Sequence, residues 1–196
     1  MAADARLPET PEWNSLFDVA QAQAGYFTTK QAARAGYSPQ LLAYYRDKKV
    51  ERVRRGIYRL VHFPASDQED LVVLWLWSEQ EGVFSHETAL ALHDLSDILP
   101  SRVHLTLPAS WRRRRLRSPS GLVLYFADIG DGDRSSFEAV PVTAPHRTLK
   151  DCIEAHVEPR LVDQAIRQAR RRGLISATDE NRLRDELMGT GEAATR

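Results

Sequence analysis

The chain has 196 residues, the length of one large domain or two small ones, and 42% of them are apolar, enough for packed cores rather than a disordered polymer. Its longest strongly apolar run, Leu71 to Trp77, falls well short of the roughly 20 residues that cross a bilayer, which excludes a membrane-spanning helix. The 27 basic and 27 acidic residues cancel overall, yet residues 25–61 carry +7, residues 62–110 carry −7 and residues 111–118 carry +5, so a basic module is attached to a chain without net charge.

Trp13, Leu16, Phe17 and Ala20 recur at helical spacing between about Pro11 and Ala24, and Gly25 stops the pattern. A short second helix begins at Thr28 or Thr29 and ends at Gly36. Ser38 followed by Pro39 makes an N-cap and first-turn pair, because the serine oxygen accepts an orphan amide and proline lacks one. A third helix is therefore predicted from Pro39 to about Lys48. Val50 to Val61 reads as a β-hairpin around an Arg55-Gly56 turn. Three helices, a glycine turn between the last two and a basic hairpin form the order of a winged helix-turn-helix, assigned to residues 11–62.

Residues 67–188 are predicted to form a mixed α/β domain, which makes the fold class α+β. Helices are expected over about Asp67–Gln80 and from a Ser85 cap through Leu92. Val103, Leu105 and Leu107 alternate with His104 and Thr106, the pattern of a strand facing a core on one side. Further strands are predicted at Leu122–Ala127 and Ala139–Val142, and closing helices at about Arg160–Arg172 and Asp179–Met188. Residues 189–196, small and polar, are expected to be a disordered tail.

In a helix-turn-helix the second helix of the motif enters the major groove. Turning Leu42 and Tyr45 inward leaves Gln40, Ala43, Tyr44 and Asp47 outward; Gln40 can pair bidentately with adenine, and Tyr44 can reach a phosphate or stack. Seven basic and two acidic residues lie between Arg46 and Arg59, placed for phosphate contacts and minor-groove insertion. The predicted DNA-binding residues are Thr29, Lys30, Ser38, Gln40, Tyr44, Arg46, Lys48, Lys49, Arg52, Arg54 and Arg55. The competing reading of this basic surface is a solvated face on a protein-binding winged helix. A second cluster, Arg112, Arg113, Arg114, Arg115 and Arg117, lies between two strands and suits a DNA backbone, an acidic partner or a plain solvated loop.

Enzyme signatures are missing. His86-Glu87 with His93 lacks zincin spacing, and Asp128, Asp131 and Asp133 lack the glutamate that closes a calcium loop. There is no phosphate-binding glycine loop, no Gly-x-Ser-x-Gly elbow and no acidic nuclease signature, so no catalytic residue, metal or cofactor is expected. Cys152 is the single cysteine, which excludes an intrachain disulfide and a cysteine-built zinc site; beside Ile153 it reads as core. With no secretory signal after Met1, the expected location is the cytoplasm.

Five segments, spread over about residues 12–188, are similar to the AbiEi family of antitoxins from abortive-infection, type IV-like toxin–antitoxin systems. They are Gly25–Ser38, Arg52–Tyr58, Ser85–Leu95, Val103–Pro108 and Pro141–Asp151; His146 departs from the family's pattern. The resemblance implies a phage-defence repressor that binds its own double-stranded promoter DNA. It also implies a C-terminal domain that counters a nucleotidyltransferase-type toxin, with or without a stable complex. Some relatives continue into an endonuclease-like domain; this sequence ends soon after Met188 and is expected to lack nuclease activity. The alternative is a winged-helix transcriptional regulator whose second domain senses a ligand or dimerises, without a toxin partner.

Overall fold

Two helix starts set the geometry of the N-terminal half. In the computed structural model, which describes residues 10–193 and side chains to residue 189, Thr28 accepts from the Gln31 amide while the Gln31 side chain accepts from the Thr28 amide, a reciprocal capping box. Ser38 accepts from the Leu41 amide at 3.2 Å, with Pro39 at the first helical position as expected. The elements follow in the order α1 (Trp13–Gln21), β1 (Tyr26–Thr28), α2 (Thr29–Arg34), α3 (Pro39–Tyr44), β2 (Val50–Arg54), β3 (Ile57–Leu60) and α4 (Glu69–Trp77). The three strands form an antiparallel sheet in the order β1-β3-β2. Three helices, a turn at Gly36 and the β2–β3 hairpin thus occur in winged-helix order, with the short β1 as an unforeseen third strand.

Leu16, Ala20, Phe27, Ala32, Leu42, Val50, Tyr58 and Leu60 are buried together, and the rings of Phe27 and Tyr58 stack with centroids 5.8 Å apart. Gly36 has φ +82°, and a Cβ there would lie 2.8 Å from the Thr10 carbonyl oxygen, so the turn needs glycine for both torsion and space. Helix α3 ends four residues before the expected Lys48. Asp47 adopts a left-handed φ of +63° and its amide donates to the Val50 carbonyl at 2.9 Å, folding the chain directly into β2.

The chain divides into two units between Gln80 and Glu81, not between residues 62 and 67. The acidic block that follows the wing begins inside the first unit. Those acids are counter-charges: Glu69 of α4 accepts from the Tyr26 hydroxyl at 2.8 Å and pairs with Arg59 at 3.1 Å, and Glu79 pairs with Lys30 at 2.7 Å. Helix α4 therefore completes the N-terminal unit.

The second unit holds β4 (Val83–Phe84), α5 (His86–Leu92), β5 (Val103–Leu107), β6 (Leu122–Phe126), β7 (Arg134–Phe137), β8 (Val140–Thr143), α6 (Pro145–Glu154), α7 (Pro159–Arg171) and α8 (Ala177–Ala193). Its mixed sheet has the order β6-β5-β4-β8-β7, with β5–β6 and β4–β8 parallel and the other neighbours antiparallel. Leu90, Leu149, Cys152, Ile153, Val162, Ile166 and Leu183 bring the four helices into one core. Within the expected tail, α8 continues through Ala193, and residues 194–196 lie outside the described residues.

Ser85 occupies the N-cap position of α5, but its side chain does not cap. Its hydroxyl instead accepts from the Thr106 hydroxyl at 2.7 Å and lies 2.9 Å from His86 Nδ1, and the His86 ring stacks on Tyr125 at 3.5 Å. These contacts hold His86 at a φ of +52°, a strained value for a residue with a Cβ. Burial pushes the His86 pKa down to about 3 and also lowers those of His93 and His104. His86 therefore gains a proton more readily when unfolded. Its contribution is present above about pH 6.5 and is lost as pH falls towards 3, by up to about 1.4 kcal/mol per pH unit. Thermal melts at pH 7.5 and pH 5 should show a lower melting temperature in acid, and His86→Asn, which tolerates positive φ, should reduce the difference. Equal melting temperatures at the two pH values would refute this account.

Candidate nucleic-acid interface

Packing against the core fixes which face of α3 is outward. Leu42 is buried, and Tyr45 is half-buried with its ring 6.2 Å from that of Tyr37. Gln40, Ala43 and Tyr44 are consequently exposed, Tyr44 to 64%. Lys48 Nζ lies 4.3 Å from the centroid of the Tyr44 ring, which joins an aromatic face and a cation at the end of the helix. Arg46 is exposed beside them.

The wing supplies the second set of contacts. Strand β2 shifts register against β3 between Arg52, opposite Tyr58, and Arg54, opposite Ile57. Val53 lies in this bulge and is 41% exposed, on the face opposite buried Val50 as strand alternation places it. Arg52, Arg54 and Arg55 are exposed and make no ion pair among the described residues. Gly56 closes the turn at φ +80°.

Four of the selected residues do internal work. The Thr29 amide and hydroxyl both donate to the Gly56 carbonyl, at 2.9 and 3.2 Å, and so anchor the wing turn to the start of α2. Lys30 pairs with Glu79, and Ser38 caps α3. Lys49 Nζ lies 4.6 Å from the Trp13 ring centroid and 5.3 Å from that of Tyr45. It faces a recess of about 620 Å³ bordered by Trp13, Phe17, Leu60 and Phe63. The role of Arg59 was missed: a turn at Arg55-Gly56 alone would set Arg52 opposite Arg59, and it is the bulge between Arg52 and Arg54 that brings Glu51 there, where the two pair at 3.3 Å.

The arginine loop is also divided. Trp111 is buried, and the Arg114 guanidinium lies 3.9 Å from its ring centroid. Arg112 donates to the Phe126 carbonyl at 3.2 Å. Arg113, Arg115 and Arg117 are exposed without an ion-pair partner among the described residues. The three aspartates of the would-be calcium loop are likewise separated: Asp128 accepts from the Ala109 amide and Asp133 from Arg147. No group of His, Cys, Asp and Glu able to hold a metal occurs among the described residues.

The internal role of Ser38 leads to a test. Ser38→Ala removes an N-cap and should cost about 1 kcal/mol of stability. At a temperature where the variant is folded, the salt dependence of its DNA binding should equal that of the parent; a flatter dependence would make Ser38 a DNA contact instead.

Among solved structures, a similar chain is the RV2827C protein from Mycobacterium tuberculosis, 15% identical, with 94% of this chain and 83% of that chain covered and a TM-score of 0.42. No curated protein matches the chain. A family model described as "Transcriptional regulator, AbiEi antitoxin" matches residues 14–61, from α1 to just beyond the wing. The similarity to that family is a property of this module, about a quarter of the chain.

Proposed function

We propose that this chain is the antitoxin and autorepressor of an abortive-infection toxin–antitoxin system, acting in the cytoplasm and without catalysis. The observation that carries the reading is the exposure of Gln40 and Tyr44 on α3, with Lys48 over the Tyr44 ring just beyond the helix, together with the exposed Arg52, Arg54 and Arg55 of the wing, which make no ion pair among the described residues, all within the matched module. In this reading Gln40 meets a base edge in the major groove of the promoter, and Tyr44 reaches a phosphate or stacks. The wing arginines and Arg46 hold phosphates, and Thr29 acts by fixing the wing turn. Arg113, Arg115 and Arg117 extend the phosphate track, and the C-terminal unit counters a nucleotidyltransferase-type toxin. These last two roles rest on the free charge of the loop and on the family resemblance.

Promoter DNA titrated at several salt concentrations tests the DNA half of the proposal. Each neutralised phosphate contributes about −0.9 to the slope of log affinity against log salt, so five contacts give roughly −4 to −5. Arg54→Ala with Arg55→Ala should flatten the slope by about two contacts and weaken binding to all sequences, whereas Gln40→Ala should relax preference at one base pair. A flat salt response in the parent protein would remove the DNA reading. Toxin neutralisation is tested separately: the Arg54→Ala, Arg55→Ala chain should still rescue cells that express the toxin.

A further inference from the structure

The recess of about 620 Å³ that Lys49 faces has walls from three parts of the N-terminal unit: Trp13 and Phe17 of α1, Leu60 at the end of β3, and Phe63 just beyond it. Its volume falls within the roughly 300–1,000 Å³ of small-molecule sites, which are likewise mostly apolar with a few polar groups at fixed places. Eight residues border it. One side of a specific protein interface comprises about 20–30 residues, so the recess suits a small molecule and falls short of a folded partner.

Its walls are held by the fold itself. The Trp13 ring packs edge-on against the buried Tyr37, with centroids 6.4 Å apart. Phe63 packs on Gly25, which has φ +87° and where a Cβ would lie 2.5 Å from Phe63 Cγ. The Phe63 amide donates to the Leu60 carbonyl at 3.2 Å and its carbonyl accepts from Arg59 at 3.0 Å, so both its ring and its backbone are fixed. Phe17 completes the wall and is 38% exposed.

Charge selects the ligand. Lys49 Nζ stands over the Trp13 ring and has no ion pair among the described residues, and no acid is among the residues that border the recess. An ammonium without a carboxylate, set beside an apolar cavity, matches an anion whose remainder is apolar. Three aromatic rings on the walls favour a flat ring, which meets them by offset stacking or edge contacts. We propose that the recess binds an aromatic monocarboxylate, its ring between Trp13, Phe17 and Phe63 and its carboxylate on Lys49, and that the bound acid weakens DNA binding. The second half rests on the promoter-binding reading.

Lys49 connects the recess to the exposed end of α3. Its amide donates to the Tyr45 carbonyl at 3.0 Å, its Nζ lies 5.3 Å from the Tyr45 ring centroid, and that ring meets Tyr44 edge-on at 5.2 Å. Lys48, the preceding residue, covers the Tyr44 ring. A carboxylate on Lys49 neutralises a cation at the border of this cluster and sets a negative charge against phosphates that approach it. Linkage is reciprocal, so bound DNA lowers the affinity for the acid by the same factor.

Calorimetric titration of the full chain with cinnamate, and with its neutral counterpart cinnamamide, tests the site without DNA. The acid should bind one to one and at least about tenfold more tightly than the amide, as a charge-assisted contact requires. Lys49→Gln should remove that preference while leaving binding of the amide unchanged, and Phe17→Glu, at an exposed position, should weaken the acid at least about tenfold. No binding of cinnamate, or equal affinities for acid and amide, would overturn the site. Binding of the acid only after removal of residues 1–9 would also overturn it, and would assign the recess to the segment before Thr10. A second titration measures promoter affinity with and without saturating cinnamate: it should fall at least about fivefold in the parent and stay constant in Lys49→Gln. A parent chain that binds the acid, and binds DNA equally well with and without it, would overturn the regulatory half. A chain that binds no DNA at all would refute the promoter-binding reading and the regulatory half together, while calorimetry alone decides the site.

Discussion

Arg59 stands on β3, the middle strand of the N-terminal sheet, and its guanidinium faces two carboxylates. It reaches Glu51 on β2 at 3.3 Å and Glu69 on α4 at 3.1 Å, and donates to the Phe63 carbonyl at 3.0 Å. Glu69 in turn accepts from the Tyr26 hydroxyl of β1 and from the Ser66 amide. One cation thus joins both neighbouring strands, the chain leaving the wing and the helix that follows. Hydrogen bonds to charged groups contribute about 1.5–3 kcal/mol each, and loss of the arginine would leave two acids facing one another in a half-buried site. The wing projects from this sheet, so its position depends on how firmly β3 is held.

This arrangement alters the meaning of the +7 block. Arg59 is neutralised by its carboxylates, Lys30 by Glu79, and Lys49 is drawn over Trp13 and Tyr45. The cations left to act outward are concentrated at the end of α3 and on the wing. Net charge summed along a sequence cannot make this distinction, because the acids that neutralise Arg59 and Lys30 include residues some ten and 49 positions away. The cations that remain free are the ones a helix-turn-helix would present to phosphate.

Local signals were legible and distant partners were not. Ser38-Pro39 and the Arg55-Gly56 turn act within a few residues, and both occur where the sequence places them. β1 has only three residues and β4 two, too short for alternation to register; they are strands because β3, β5 and β8 lie beside them. Ser85 shows the same limit at the scale of one side chain. Its sequence context is that of a cap, but the folded chain brings Thr106 and His86 to its hydroxyl, and a local preference yields to a buried network. Within the candidate interface, Gln40 and Tyr44 were legible because helical periodicity settles their face. Thr29 and Lys30 were not, because their partners are 27 and 49 residues distant.

The same distinction bears on β6. Its five apolar residues mark it as a strand from sequence, but in a mixed sheet such a run normally belongs to an interior position covered on both sides. Only the strand order reveals it as an edge. An apolar edge is a liability to a free monomer, and the usual protections (charge, proline or a bulge) are absent within Leu122–Phe126. The arginine loop supplies charge at one end through Arg112, which binds the Phe126 carbonyl.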